Sequence, residues 1–162
     1  HRHGDGRRPK CAKTRALPSV AHERMRGALK ALHDAGLQLV GEARFGSWEA
    51  EWGRAAARLL LNDGAAFDAV ICQNDVLARG CIEELERSGC RVPQDVAVIG
   101  HDNSPDYVSY AHPLLTSIDD NNEMLGRQAA LCLLDAIAGH PHHGVERVPV
   151  KLIQRESTLP LD

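Results

Sequence analysis

Residues 69–103 read AVICQNDVLARGCIEELERSGCRVPQDVAVIGHDN, and this stretch decides the fold. Two near-continuous apolar runs, Phe67 to Cys72 and Val96 to Ile99, enclose a segment with helical periodicity. Short apolar runs bounded by turn residues are the mark of strands buried in a parallel sheet. Asn74 and Asp75 break the first run, and a helix then runs to Ser88 with Gly89 as its stop. Val92 and Pro93 turn the chain into the second strand.

The same alternation continues outward. Upstream, Ser19 caps a helix carrying Val20, Met25, Ala28, Leu29 and Leu32, closed by Gly36, and a short strand is expected at 37–43. Ser47 is a second candidate cap. Beyond it Trp48, Trp52, Ala55, Ala56, Leu59 and Leu60 recur at helical spacing, until Asn62, Asp63 and Gly64 end the segment. Downstream, Gly100 to Pro105 reads as a loop and Leu114 to Ile118 as extended chain. A helix capped by Asn121 or Asn122 carries Met124, Leu125, Ala129, Leu133 and Ile137 up to Gly139. A last strand covers Val148 to Ile153, with Pro149 marking it as an edge. The alternation predicts an α/β fold whose mostly parallel sheet is flanked by helices.

Composition limits what such a chain can be. With 162 residues, 43% apolar and 25% charged, it can bury a core and is not disordered along its length. No apolar stretch approaches the roughly 20 residues that span a bilayer, and the start does not read as a secretory signal. The net charge of -3 is uneven: Arg2, Arg7, Arg8, Lys10, Lys13 and Arg15 face only Asp5 in the first fifteen residues. The remainder is acidic and a poor surface for nucleic acid. Residues 1–17 therefore read as a basic, disordered or non-native leader, and 18–162 as the domain. Five cysteines, an odd number without a C-x-x-C pair, predict small thiol core residues in a reduced, cytoplasmic compartment.

In an open parallel sheet, ligands bind beyond the carboxyl ends of the strands. Those ends carry Gln73, Asn74 and Asp75 after one strand and His101, Asp102 and Asn103 after the next. Such amides and carboxylates suit a ligand rich in hydroxyl groups. On spacing alone, Asn74 and Asp102 serve equally well as caps of the segments that follow. Catalytic signatures are absent: there is no G-x-S-x-G, no phosphate-cradling loop and no metal-spaced His/Cys set. His140, His142 and His143 flank a proline in what reads as a solvated loop. The expectation is a protein that is not an enzyme and has neither cofactor nor metal.

The combination of an Asn-Asp pair after a strand, a downstream Gly-x-Asp at Gly100 and Asp102, and Pro-x-x-Thr-Ser at 113–117 resembles the ligand-binding core of the LacI/GalR family of bacterial transcriptional repressors. The likeness extends through PLLTSIDDNNEMLGRQAALCLLDAI at 113–137 to IQREST at 153–158, and upstream to Arg24-x-x-Gly27. It implies the C-terminal part of a type I periplasmic-binding-protein-like sensor lobe, incomplete and without the helix-turn-helix headpiece. By that match Arg24, Asn74 and Asp102 contact the ligand. Trp48 supplies a ring to stack on it or packs on a helix face, and Asp120 is a further polar contact. Asp75 shapes the turn and orients Asn74, and His101 titrates or packs. The implied effector is a sugar-like small molecule, with a nucleobase as the other class. Operator DNA is reached only through the missing N-terminal domain. A homodimer is possible in this family, and no membrane is involved. The helix at 122–138 is expected to leave Leu125, Ala129 and Leu133 exposed. A sugar-binding protein of a transporter, which shares the fold, is the alternative.

Overall fold

A computed structural model describes residues 19–64 and 66–158. The expected leader at 1–17 lies outside those residues. The chain divides into two compact units, one through Leu37 and the other from Gln38 onward.

The first unit contains α1 (Val20–Asp34), with Ser19 at its N-cap and Gly36 at a left-handed φ of 70° just beyond its end. Ser19 Oγ does not cap the backbone; it bonds His22 Nδ1 at 2.5 Å. Ala21 is the buried residue of this helix, whereas Val20 and Leu29 are exposed.

The second unit runs α2 (Ala50–Asn62), β1 (Ala69–Ile71), α3 (Asp75–Arg87), β2 (Ala97–His101), α4 (Pro105–Val108), β3 (Thr116–Asp119), α5 (Asn122–Ile137) and β4 (Lys151–Ile153). Its sheet has the order β1-β2-β3-β4. The first two pairings are parallel and the last is antiparallel, so the mixed sheet is mostly parallel and flanked by helices, as the sequence pattern predicts. Pro149 does precede an edge strand, since β4 pairs with β3 alone among the described residues.

Three expectations are corrected. No strand forms at 37–43, because these residues find no ladder partner and a strand exists only by pairing. Strand β1 is not buried: it is three residues long, at the sheet edge, and Ile71 is exposed. Helix α2 begins three residues after Ser47, with Glu49 at the N-cap.

The core lies between α3 and the middle of the sheet. Ala78, Cys81, Ile82 and Leu85 of α3 cluster with Val96, Val98, Val108 and Leu115. Burying a side chain of this size stabilises by about 1.5–3 kcal/mol. Two glycines let α2 approach α3 closely. A Cβ on Gly80 would lie 2.0 Å from the Ala50 carbonyl oxygen, and one on Gly53 would lie 2.3 Å from that of Leu77. Glu84 is buried at this junction and accepts from Arg58 at 3.0 Å and from Arg87 at 2.7 Å. These bonds hold its carboxyl down to about 2.

Ser157 ties the chain after β4 into the sheet. It is fully buried, and its amide donates to the Leu114 carbonyl while its own carbonyl accepts from Val98 N. Helix α5 is the opposite case. None of its side chains is buried, and Leu125, Leu133, Leu134 and Ile137 are exposed, in line with the expectation for this helix.

Candidate functional site

Parallel pairing through β1, β2 and β3 brings their carboxyl ends to one edge of the sheet. Asn74 follows β1, Asp102 follows β2 and Asp120 follows β3. Three of the five residues singled out from the sequence therefore share one rim. Around Asp102 the rim is compact: the ligating atoms of His101, Asp102 and Asp120 lie within 4.8 Å of one another. His101 is buried and its Nε2 donates to Asp120 Oδ1 at 2.6 Å, which fixes the carboxylate beside the exposed Asp102. These three donors are also the groups at the rim that can hold a cation.

Asn74 is buried and spends its Oδ1 on capping α3, accepting from Leu77 N at 2.8 Å. The capping and ligand readings of Asn74 are thus compatible, because the Nδ2 end of the amide is not used in that bond.

Asp75 does more than shape a turn. It is almost fully buried, and its carboxylate accepts from Ser117 Oγ at 2.5 Å and from Ser104 N at 2.7 Å. One side chain at the start of α3 thereby fixes the loop after β2 and the body of β3. Burial raises its pKa, opposed by the bonds from Ser117 and Ser104. Gly100 makes room for it, since a Cβ there would meet Asp75 Oδ1 at 2.2 Å.

The network extends beyond the residues picked from the sequence. Asn103 N donates to Ser117 Oγ at 3.0 Å, and Arg155 Nη2 donates to Asn103 Oδ1 at 2.8 Å. Arg79 is buried and grips the carbonyls of Tyr107 at 2.5 Å and Pro113 at 2.8 Å, which pins α4 and the chain before β3 to α3. Burial lowers its pKa. The only sequence signal for these roles was the presence of Arg79 and Arg155 in stretches quoted for their family likeness.

The backbone at the rim is unusual. The non-glycine residues with left-handed φ among those described are Asp102 (98°), Asn103 (51°) and Asn121 (55°). All three follow β2 or β3 at their carboxyl ends. Asp and Asn tolerate this region better than other residues, but at some cost.

Trp48 belongs to the same unit and lies two residues before α2 with 46% of its surface exposed. An indole this open leaves ring surface available for stacking. Arg24 lies in α1, in the other unit, and is half-buried there. A groove lined by Pro93, His112, Pro113, Glu156 and Thr158 opens near the amino-terminal ends of β2 and β3, away from this rim.

A sheet of this order with polar groups gathered at its carboxyl rim is the architecture of an α/β small-molecule-binding lobe. The chain matches the periplasmic binding protein-like domain family over residues 10–158. It is 36% identical over 137 residues to the HTH-type transcriptional regulator CelR of Thermobifida fusca, covering 83% of this chain and 40% of that protein. It is 34% identical over 144 residues to the lactose operon repressor of Escherichia coli (strain K12), covering 88% and 39%. A crystal structure of the Lac repressor bound to ONPG superposes with a TM-score of 0.80 at 33% identity, covering 85% of this chain and 42% of that one. The CelR–cellobiose complex superposes at 0.71 with 35% identity, covering 84% and 42%. The chain belongs to the periplasmic binding protein-like domain family, and it aligns with the sensor domain of LacI-type regulators. It spans about two fifths of the length of these curated relatives.

Proposed function

We propose that this chain is the effector-sensing part of a LacI-type transcriptional regulator and that its effector is a sugar-like small molecule. Asn74, Asp102 and Asp120 supply hydrogen bonds to hydroxyl groups, and Trp48 stacks on the ring's apolar face. The observation that carries this reading is the convergence of Asn74, Asp102 and Asp120 at one carboxyl rim, held by the buried carboxylate of Asp75.

Relatives favour a sugar over a nucleobase, because CelR is solved with cellobiose and the Lac repressor with ONPG. The relatives quoted are regulators of transcription, which favours a regulator over the sugar-binding protein of a transporter. In the whole regulator, operator DNA is contacted by a helix-turn-helix domain, in a homodimer, and the protein acts as a binding module with no catalytic step. Effector binding biases an equilibrium between two arrangements of the sensor, and its leverage equals its differential affinity for them.

The test is effector-dependent release of operator DNA by the full-length regulator, compared with its Asp102→Ala and Trp48→Ala variants. Each variant should bind operator normally and need about ten-fold or more additional sugar for release, the loss of one good polar or stacking contact. Unaltered release in both variants refutes the assignment.

A further inference from the structure

A second cluster, which shares no residue with the rim, lies between α5 and the segment that leads to β4. Cys132 and Asp135 stand one turn apart on α5, and His142 and Glu146 come from the following loop. The ligating atoms of Cys132, His142 and Glu146 lie within 4.8 Å of one another. The Cys132 thiol donates to Glu146 Oε2 at 3.2 Å, and His142 Nε2 donates to Asp135 Oδ2 at 2.8 Å. His142 and Asp135 are each about half exposed, so solvent and ions reach them.

We propose that Cys132, His142 and Glu146, with Asp135 beside them, form a surface site for a zinc-type divalent cation. The donor set of thiolate, imidazole and carboxylate is the one that zinc takes in tetrahedral sites. The geometry is close to what the ion requires. Zinc–sulfur and zinc–oxygen bonds of about 2.3 and 2.0 Å at a tetrahedral angle separate their ligand atoms by about 3.5 Å. The Cys132–Glu146 contact already stands at 3.2 Å.

The chemistry also balances. On binding, the Cys132 thiol loses its proton to solvent and becomes a thiolate ligand, and the neutral His142 ring shifts through solvent to the tautomer with its proton on Nδ1, which frees the Nε2 lone pair for the metal. In the metal-free state the thiol is held protonated by the neighbouring Glu146 carboxylate, which raises its pKa. A cation reverses that preference, because it favours the thiolate outright. Spacing along the chain hides the site: Glu146 follows His142 by four positions, but the thiol ligand arrives only when folding brings α5 beside the loop. The consequence is mechanical. Helix α5 has no buried side chain, and a metal clip would tie its last turns to the segment entering β4.

The test uses the whole chain, reduced and stripped of metal, titrated with Co²⁺ alone and then with Zn²⁺ in competition. One equivalent of Co²⁺ should produce thiolate-to-cobalt charge-transfer absorption, which Zn²⁺ then displaces. The band should vanish in Cys132→Ser. His142→Ala and Glu146→Gln should each weaken Co²⁺ about ten-fold or more, and His33→Ala, at an exposed position of α1 in neither cluster, should leave binding unchanged. All of these positions are partly or fully exposed, so circular dichroism matching the parent's accompanies each variant. No band, a band that survives Cys132→Ser, or undiminished affinity in His142→Ala overturns the proposal.

Discussion

Replacing Asp75 by alanine removes the one carboxylate that links α3, the loop after β2 and β3. Its two bonds do not count equally. Ser117 is fully buried, so its hydroxyl proton loses its acceptor in the variant and cannot turn to water, although its oxygen keeps the bond from Asn103 N. That loss costs about 1–3 kcal/mol. Ser104 is only half-buried, so its amide is partly rehydrated. Asp75 also sits in the first turn of α3, where a negative charge is worth about 0.3–1 kcal/mol against the helix dipole. Against this, burial already raises the Asp75 pKa, so removing the charge returns some desolvation energy. The expected net loss is about 2–4 kcal/mol, a large share of a typical domain's stability. Asp75→Asn keeps the shape and one acceptor oxygen, so it should lose about half as much. Urea unfolding with an unchanged m-value measures both. A difference under about 0.5 kcal/mol between Asp75→Ala and the parent would be no larger than an ordinary surface substitution. It would refute the view that this carboxylate holds the rim.

Ser157→Ala should cost about 1–3 kcal/mol, because Thr116 N donates to Ser157 Oγ at 2.8 Å and that hydroxyl donates to the Val98 carbonyl at 2.6 Å, all in the interior. Chemical denaturation checks it, and a loss below about 0.5 kcal/mol contradicts it. Glu84 gives the pH dependence. Its folded pKa of about 2 lies below the ordinary 4.5, so its contribution is complete above 4.5 and is lost as the pH falls toward 2. Unfolding midpoints over that range should fall more steeply for the parent than for Glu84→Gln; parallel curves would show that Arg58 and Arg87 do not hold the carboxylate.

Local signals were readable where local physics decides the structure. Asn74 caps α3, and Gly36, Gly89 and Gly139 take the left-handed φ that ends α1, α3 and α5. Apolar runs located β1 and β2, but not their burial, because position within a sheet depends on neighbours distant in sequence. The expected strand at 37–43 failed for the same reason. The rim at Asn74, Asp102 and Asp120 was legible through strand-end position and family likeness. Asp75 was read as a local turn residue because its partner Ser117 lies 42 positions away and no periodicity announces such a bond. Cys132 was read as one of the core thiols, but it sits half-buried beside Glu146 instead.

The distribution of cost within this unit bears on what the rim is for. The core of α3, β2 and β3 is apolar and closely packed, and none of its residues takes a left-handed φ. The costly features gather instead at the carboxyl ends of β2 and β3, where three non-glycine residues stand at left-handed φ. Glycine at those three positions would relieve the backbone cost. A sequence shaped by stability alone would adopt it. Asp102 and Asn103 instead retain polar side chains on a strained turn, anchored from below by Ser104 and Ser117. Strain held in place by a fully bonded support is the pattern of a preorganised binding site. That concentration supports the effector site by a route independent of family resemblance, because it rests on where this chain's own structure concedes stability.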